Sequence, residues 1–182
     1  MKKENLKKIV LAAMFVAIGL VLPFLTGQIR EIGKMLLPMH IPVVLCGLIL
    51  GWKYGVVVGF ILPLLRSSLF SMPVMFPGAV AMAFELATYG GLAGFLYNSA
   101  KWQCTKTLYI SMLISMVAER VVWGIVQSIL RGFGNFTMKM FIAGAVLDAI
   151  PGIILQLILI PVLMVALKKA KAVPLLKIDN ER

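Results

Sequence analysis

The sequence predicts an all-α integral membrane protein, a bundle of six transmembrane helices with both termini in the cytoplasm. Hydrophobic residues make up 61% of the 182-residue chain and charged residues only 14%, whereas a soluble domain is about 45–50% apolar and about 25% charged. The apolar residues fall into six runs, and a helix of about 20 residues crosses the bilayer. Six such helices leave only short loops and two tails, so residues 1–182 are expected to form a single membrane domain.

The six apolar runs are separated by polar, basic or proline-containing segments. The first run follows a lysine-rich start, and we interpret it as a membrane helix rather than a signal peptide because no small-x-small cleavage pattern follows it. The second is interrupted early by Pro38 and Pro42. The third is short, so it either tilts or continues into residues 70–75 as a re-entrant segment, and Pro151-Gly152 predicts a kink in the sixth. The predicted spans cover residues 9–25, 35–50, 55–65, 78–97, 108–130 and 140–167.

The distribution of positive charge predicts the orientation of these spans. If the N-terminus is cytoplasmic, segments 1–8, 51–54, 98–107 and 168–182 lie inside and contain twelve Lys and Arg residues, against five in the outer segments. Cytoplasmic ends of membrane helices carry an excess of Lys and Arg, so both termini are expected inside. The same rule accounts for the formal net charge of +11. Nucleic-acid binding is not needed to explain this charge, because it requires a basic face on a soluble protein.

The sequence carries no motif for catalysis or metal binding. Cys46 lies in an apolar run and Cys104 in a polar loop, which argues against a disulfide framework. The single His of the chain gives no metal-ligand spacing. There is no phosphate-binding Gly-Lys-Ser/Thr motif, so the chain itself is not expected to hydrolyse ATP. We therefore predict no enzymatic activity, no metal and no cofactor.

Polar side chains within the predicted spans gather in the outer half of the bundle. Charges at membrane depth are costly and are usually functional or paired, and two interpretations stay open. The side chains line an outward-facing pocket for a small, partly polar solute, or Glu119 or Glu85 neutralises Arg120 in a buried ion pair that fixes helix packing. The candidate pocket residues are His40, Glu85, Arg120, Trp123, Gln127, Arg131 and Asp148.

Small residues recur at helical spacing in two places. Four glycines stand at every fourth position between residues 47 and 59, and they form either a packing seam or the turn between two spans. Ala13 and Ala17 are four residues apart near the cytoplasmic end of the first span. They either pack internally or leave a smooth surface for a partner subunit.

The polar pattern separates three classes of membrane protein. An ion channel needs a polar path through the full thickness of the membrane, and the inner half of these spans is apolar. Many secondary transporters contain inverted repeats, and no long internal repeat is evident. A binding subunit of an importer is the favoured class; the alternatives are a stand-alone secondary transporter or channel for a small solute and a non-transport membrane protein.

The chain resembles the substrate-binding S components of energy-coupling factor (ECF) transporters, which are bacterial vitamin importers. The resemblance covers nearly the whole chain in size, number of spans and orientation, and Ala13 and Ala17 stand where the family keeps its coupling motif. The matching stretch from the first loop through the third helix is Leu37-Pro38-Met39-His40-Ile41-Pro42, then Gly47, Gly51, Tyr54-Gly55 and Gly59.

The resemblance implies a multi-pass protein of the bacterial plasma membrane that binds a vitamin or related micronutrient on the extracellular side. It would deliver this solute with a transmembrane coupling subunit, contacted by Ala13 and Ala17, and with two cytoplasmic ATPase subunits. Family members are thought to topple in the membrane to carry the occupied pocket inward. A pantothenate-like acid would suit the cationic side chains, whereas Glu85 and Asp148 would suit a cationic or hydrogen-bond-donating ring such as thiamine or a pyridoxine-like molecule.

The resemblance also places particular side chains in the pocket, because family pockets are lined by the first loop and the outer parts of helices four to six. Arg120 and Glu119 look deep by this measure and would instead form a packing pair. The residues that it places in the pocket are Glu85, Trp123, Gln127, Arg131 and Asp148.

Overall fold

Helices account for all the regular structure in the part of the chain that the computed structural model describes, residues 2–26, 36–132, 137–144 and 149–169. A 3-10 helix, Leu22–Thr26, follows the first α-helix, and a short π-helical segment, Met75–Ala79, precedes the fourth. The α-helices are α1 Lys2–Val21, α2 His40–Leu50, α3 Trp52–Phe70, α4 Val80–Ser99, α5 Thr105–Arg131, α6 Met138–Ile142 and α7 Ile150–Lys169.

Five helical segments among the described residues are long and apolar enough to cross a membrane, which confirms the all-helical membrane class. The second predicted span is different, because α2 has only 11 residues and a spanning helix needs about 17 or more. The prediction of six full spans is therefore not met within the described residues, and the side on which the termini lie stays a prediction. The five spans are Glu4–Phe24, Trp52–Phe70, Met75–Ser99, Thr105–Arg131 and Ile150–Leu167.

The short helix α2 lies at the centre of the bundle. All of its residues are buried, and it packs against α1, α3, α4 and α7. After His40 its sequence is apolar on every side, and a helix that is apolar all round is buried. The longer helices turn apolar side chains such as Leu6, Val117 and Ile158 outward, as expected where lipid covers the surface.

The four glycines between residues 47 and 59 form both structures suggested by the sequence, a turn between two helices and a packing seam. Gly51 alone joins α2 to α3, with φ of 103°, a backbone conformation that favours glycine. The others form a seam against α4: a Cβ on Gly47 would meet the carbonyl oxygen of Gly90, and a Cβ on Gly59 would lie 2.5 Å from the carbonyl oxygen of Leu86. Small residues at these positions let the backbones of α2, α3 and α4 approach closely.

Two predicted helix boundaries are wrong. The third span continues to Phe70 and ends at Ser71, whose φ of 56° is left-handed, so residues 70–75 do not extend it as a re-entrant segment. The predicted sixth span contains two described helices, α6 and α7, and residues 145–148 between them lie outside the described residues. Pro151 falls in the first turn of α7, where its missing N–H removes no helical hydrogen bond, rather than at a kink inside one long helix.

Candidate functional site

Four ionisable side chains from three helices meet inside the bundle. His40 begins α2, Glu85 lies on α4, and Glu119 and Arg120 lie side by side on α5. The exposed fractions are 0% for His40, 3% for Glu85, 2% for Glu119 and 13% for Arg120. We call these four residues the buried cluster. Such a set of charges in a membrane bundle is costly unless its members pair or bind something.

Arg120 is the cation that holds the two carboxylates together. Its Nη1 donates a 2.8 Å hydrogen bond to Glu85 Oε1, and its Nη2 lies 3.6 Å from Glu119 Oε1. The ion pair considered from the sequence is therefore present, and it involves both glutamates rather than one. Two carboxylates and one guanidinium leave a formal charge of −1 in the buried cluster when His40 is neutral.

His40 faces both carboxylates without bonding to either. Its Nε2 lies 3.5 Å from Glu85 Oε1 and 3.6 Å from Glu119 Oε2, beyond the 2.7–3.2 Å typical of N–H···O bonds. Neither imidazole nitrogen forms a hydrogen bond within the described residues. The turn before α2 sets this position: Leu37 has a φ of 48°, and the His40 N–H donates to the Leu37 carbonyl at 3.0 Å.

A second buried contact flanks the cluster. Tyr89 follows Glu85 by one turn of α4, and its hydroxyl donates to Gln156 Oε1 of α7 at 2.9 Å. The Tyr89 ring centroid lies 5.9 Å from that of His40. Sequence reasoning missed both residues. The available signals were the i+4 spacing from Glu85 and the lone amide in the apolar run of α7.

The candidate pocket residues that lie on α5 fall into separate groups in the structure. Arg120 joins the buried cluster, whereas Gln127 and Arg131 lie further along α5, where the Arg131 Nε donates to Gln127 Oε1 at 2.9 Å. The ring of Trp123 packs beside Phe141 of α6, with centroids 6.3 Å apart. The structure thus brings together His40, Glu85 and Arg120 of the predicted pocket set and leaves Trp123, Gln127 and Arg131 outside that cluster. Asp148 lies outside the described residues.

The two alanines of α1 lie on a face that the rest of the bundle leaves uncovered. Ala13 and Ala17 are both exposed, and so is Met14 between them. The opposite face of α1 packs inward, because Phe15 is buried and a Cβ on Gly19 would meet the Leu62 side chain. An exposed strip of small side chains suits a close helix–helix contact.

These features define a polytopic membrane protein whose helices enclose a charged centre. Residues 7–164 match the family described as ECF transporter, substrate-specific component, and the chain belongs to this family. Its members are substrate-binding components of a transporter and not enzymes. No curated protein and no solved structure matches the chain.

Proposed function

We propose that this protein captures a vitamin or related micronutrient, pantothenate-like or another small vitamin, from the extracellular side of a bacterial plasma membrane. It delivers the solute inward with a transmembrane coupling subunit and two cytoplasmic ATPases. The substrate-specific role follows from the family. The observation that carries the proposal is the convergence of His40, Glu85 and Arg120 in the interior of an otherwise apolar bundle.

The position of the buried cluster along the helices supports an outward-facing site. The end of α4 and the start of α5 flank a segment that contains Lys101 and Lys106, and basic segments favour the cytoplasmic side. Glu85 lies in the second turn of α4 and Arg120 in the later half of α5, so both are remote from that segment. The cluster then lies in the outer half of the membrane.

The pocket residues divide into a floor and a mouth in this proposal. His40, Glu85 and Arg120 form the floor inside the bundle. Gln127 and Arg131 lie seven and eleven positions beyond Arg120, roughly 10 Å or more along the helix, and they stand at the mouth. An Arg side chain there suits attraction of a polar solute, since guanidinium pairs readily with carboxylates. Trp123, on α5 between Arg120 and Gln127, and Asp148, which lies outside the described residues, complete the proposed set.

The exposed alanine strip of α1 is the proposed contact for the coupling subunit. Ala13 and Ala17 lie five and nine positions beyond Lys8, the last of the N-terminal lysines, and the charge distribution favours the cytoplasmic side for these lysines. A coupling subunit docked there reaches the ATPases on the same side of the membrane. The smooth surface lets a partner helix slide or rotate against α1 without disturbing the inward face of that helix.

Two measurements test this function. Mass spectrometry of small molecules that co-purify with the full chain is expected to find one vitamin-sized compound, and replacing Glu85 with Gln is expected to remove it. Uptake of that compound by cells is expected to require the ATPases. Uptake that persists in cells lacking every such ATPase would instead favour a stand-alone secondary transporter, and the absence of any bound compound would argue against a solute-binding role.

A further inference from the structure

We propose that His40, Glu85 and Glu119 bind a single divalent ion of a first-row transition metal. One potential ligand atom from each residue lies within 4.8 Å of the others. The His40 Nε2 lies 3.5 Å from Glu85 Oε1 and 3.6 Å from Glu119 Oε2. Two ligands that are each about 2.1 Å from one metal ion at a tetrahedral angle are about 3.4 Å apart. The observed separations agree with this spacing.

Hydrogen bonding does not account for the same geometry. A proton on His40 would balance the charge of the cluster, but Nε2 would then approach one carboxylate to about 2.7–3.2 Å. Instead it stands nearly equidistant from two carboxylate oxygens. Glu119 Oε2, which is buried, also forms no hydrogen bond within the described residues. A cation between the three side chains gives His40 Nε2 and Glu119 Oε2 a partner.

Arg120 holds the two glutamates in the way that a supporting residue of a metal site does. It donates to Glu85 Oε1 at 2.8 Å, and its Nη2 lies 3.6 Å from Glu119 Oε1, while Glu119 Oε2 faces His40. Carboxylates that bind metals are themselves commonly fixed by hydrogen bonds. When both glutamates are ionised, Arg120 compensates only one of their two negative charges, and a bound cation would compensate the other.

The ligand types define the class of ion. One imidazole and two carboxylates suit Zn²⁺, Co²⁺ or Mn²⁺. Three protein ligands leave a coordination position open, which a donor atom of a bound solute can occupy. The three ligands come from three helices and are 45 and 34 positions apart along the chain, so local spacing in the sequence gives no sign of the site.

The test uses the purified full chain in detergent, stripped with a chelator and carrying Cys104→Ser to remove an exposed thiol. Zn²⁺, Co²⁺ and Mn²⁺ are titrated separately and followed by elemental analysis, thermal shift and, for Co²⁺, visible absorption. One equivalent per chain is expected with at least one of these ions. His40→Gln and Glu119→Gln are expected to weaken binding by about tenfold or more.

The control variant is Glu4→Gln, which removes an exposed carboxylate and is expected to bind the ion as the parent does. If His40→Gln fails to fold, the nearly isosteric Glu119→Gln and the titration of the parent chain decide whether the metal site is present. The proposal is overturned if none of the three ions binds the parent chain stoichiometrically, or if binding is unchanged in both ligand variants. Co-purification of a vitamin in the absence of metal binding would leave the proposed transport function standing and remove the metal site.

Discussion

Arg120 Nη1 and Glu85 Oε1 are joined by a 2.8 Å hydrogen bond that connects α5 to α4 inside the bundle. The sequence left two interpretations of these residues open, a packing contact or part of a pocket. The structure shows that the two side chains are bonded to each other. Because the same Glu85 oxygen also faces His40, the ion pair orients a side chain of the proposed site. Structural pairing and solute binding are therefore compatible roles for these residues.

Removing Arg120 is expected to destabilise the protein strongly. Arg120→Met leaves Glu85 and Glu119 buried without their shared cation, and breaking a buried ion pair typically costs about 3–5 kcal/mol. Thermal unfolding in detergent measures the effect. Lys106→Met serves as the control, since Lys106 is exposed in the first turn of α5 and its loss is expected to cost less than about 1 kcal/mol. Equal shifts for the two variants would contradict the role given to Arg120.

The buried hydroxyl of Tyr89 is expected to contribute to stability through Gln156. Tyr89→Phe removes the donor of the 2.9 Å bond and leaves the Gln156 oxygen unsatisfied, which costs about 1–3 kcal/mol. Tyr109→Phe is the matched control because Tyr109 is exposed on α5. Unfolding midpoints for both variants, measured in the same detergent, check the prediction; a larger loss for the control would refute it.

The close approach of α2 to α4 is expected to exclude any side chain at Gly47. Gly47→Ala places a Cβ against the carbonyl oxygen of Gly90, and forcing the helices apart costs about 1–3 kcal/mol or more. In Gly78→Ala the nearest atom, Pro73 Cβ, lies at 3.9 Å, so that variant is expected to fold normally. Monodisperse yield after size exclusion is the measurement, and a normal yield of Gly47→Ala would count against the seam.

Bulky residues on the exposed face of α1 are expected to block uptake and spare binding. Ala13→Trp and Ala17→Trp obstruct the proposed contact with the coupling subunit, while the inward face of α1 is unchanged. Ala166→Trp, on an exposed position of α7, is the control and is expected to leave uptake intact. Solute binding by the purified variants is measured beside cellular uptake. Loss of folding in the α1 variants would indicate that the alanines pack internally.

Cys104 is expected to report the orientation of the bundle. It is exposed just before α5, whereas Cys46 is buried. The hydrogen bond with the Thr107 side chain lowers the pKa of the Cys104 thiol, so a larger share is thiolate at neutral pH and alkylation is favoured there. A membrane-impermeant maleimide should label inside-out vesicles and not intact cells, and Cys104→Ser should abolish labelling. Labelling of intact cells would mean that Cys104 lies outside the cell and that the predicted topology is wrong.

The sequence by itself determined the membrane class, most of the spans and the identity of the ionisable residues inside them. Lipid imposes these features locally, because each spanning helix must be apolar over a fixed length and must satisfy its own backbone hydrogen bonds. The family resemblance could be drawn from the same local patterns, such as the stretch around His40 and the alanines of α1. The match over residues 7–164 confirms it.

Only the tertiary structure decided how these residues meet. The sequence could not show that α2 is a short buried helix, because a fully apolar run looks the same facing lipid or protein. It could not show that Glu119 stands beside His40 or that Tyr89 bonds Gln156, since those pairs are 79 and 67 positions apart. Which side of each helix faces inward depends on close packing among all the helices, and that packing creates the three-ligand geometry of the buried cluster.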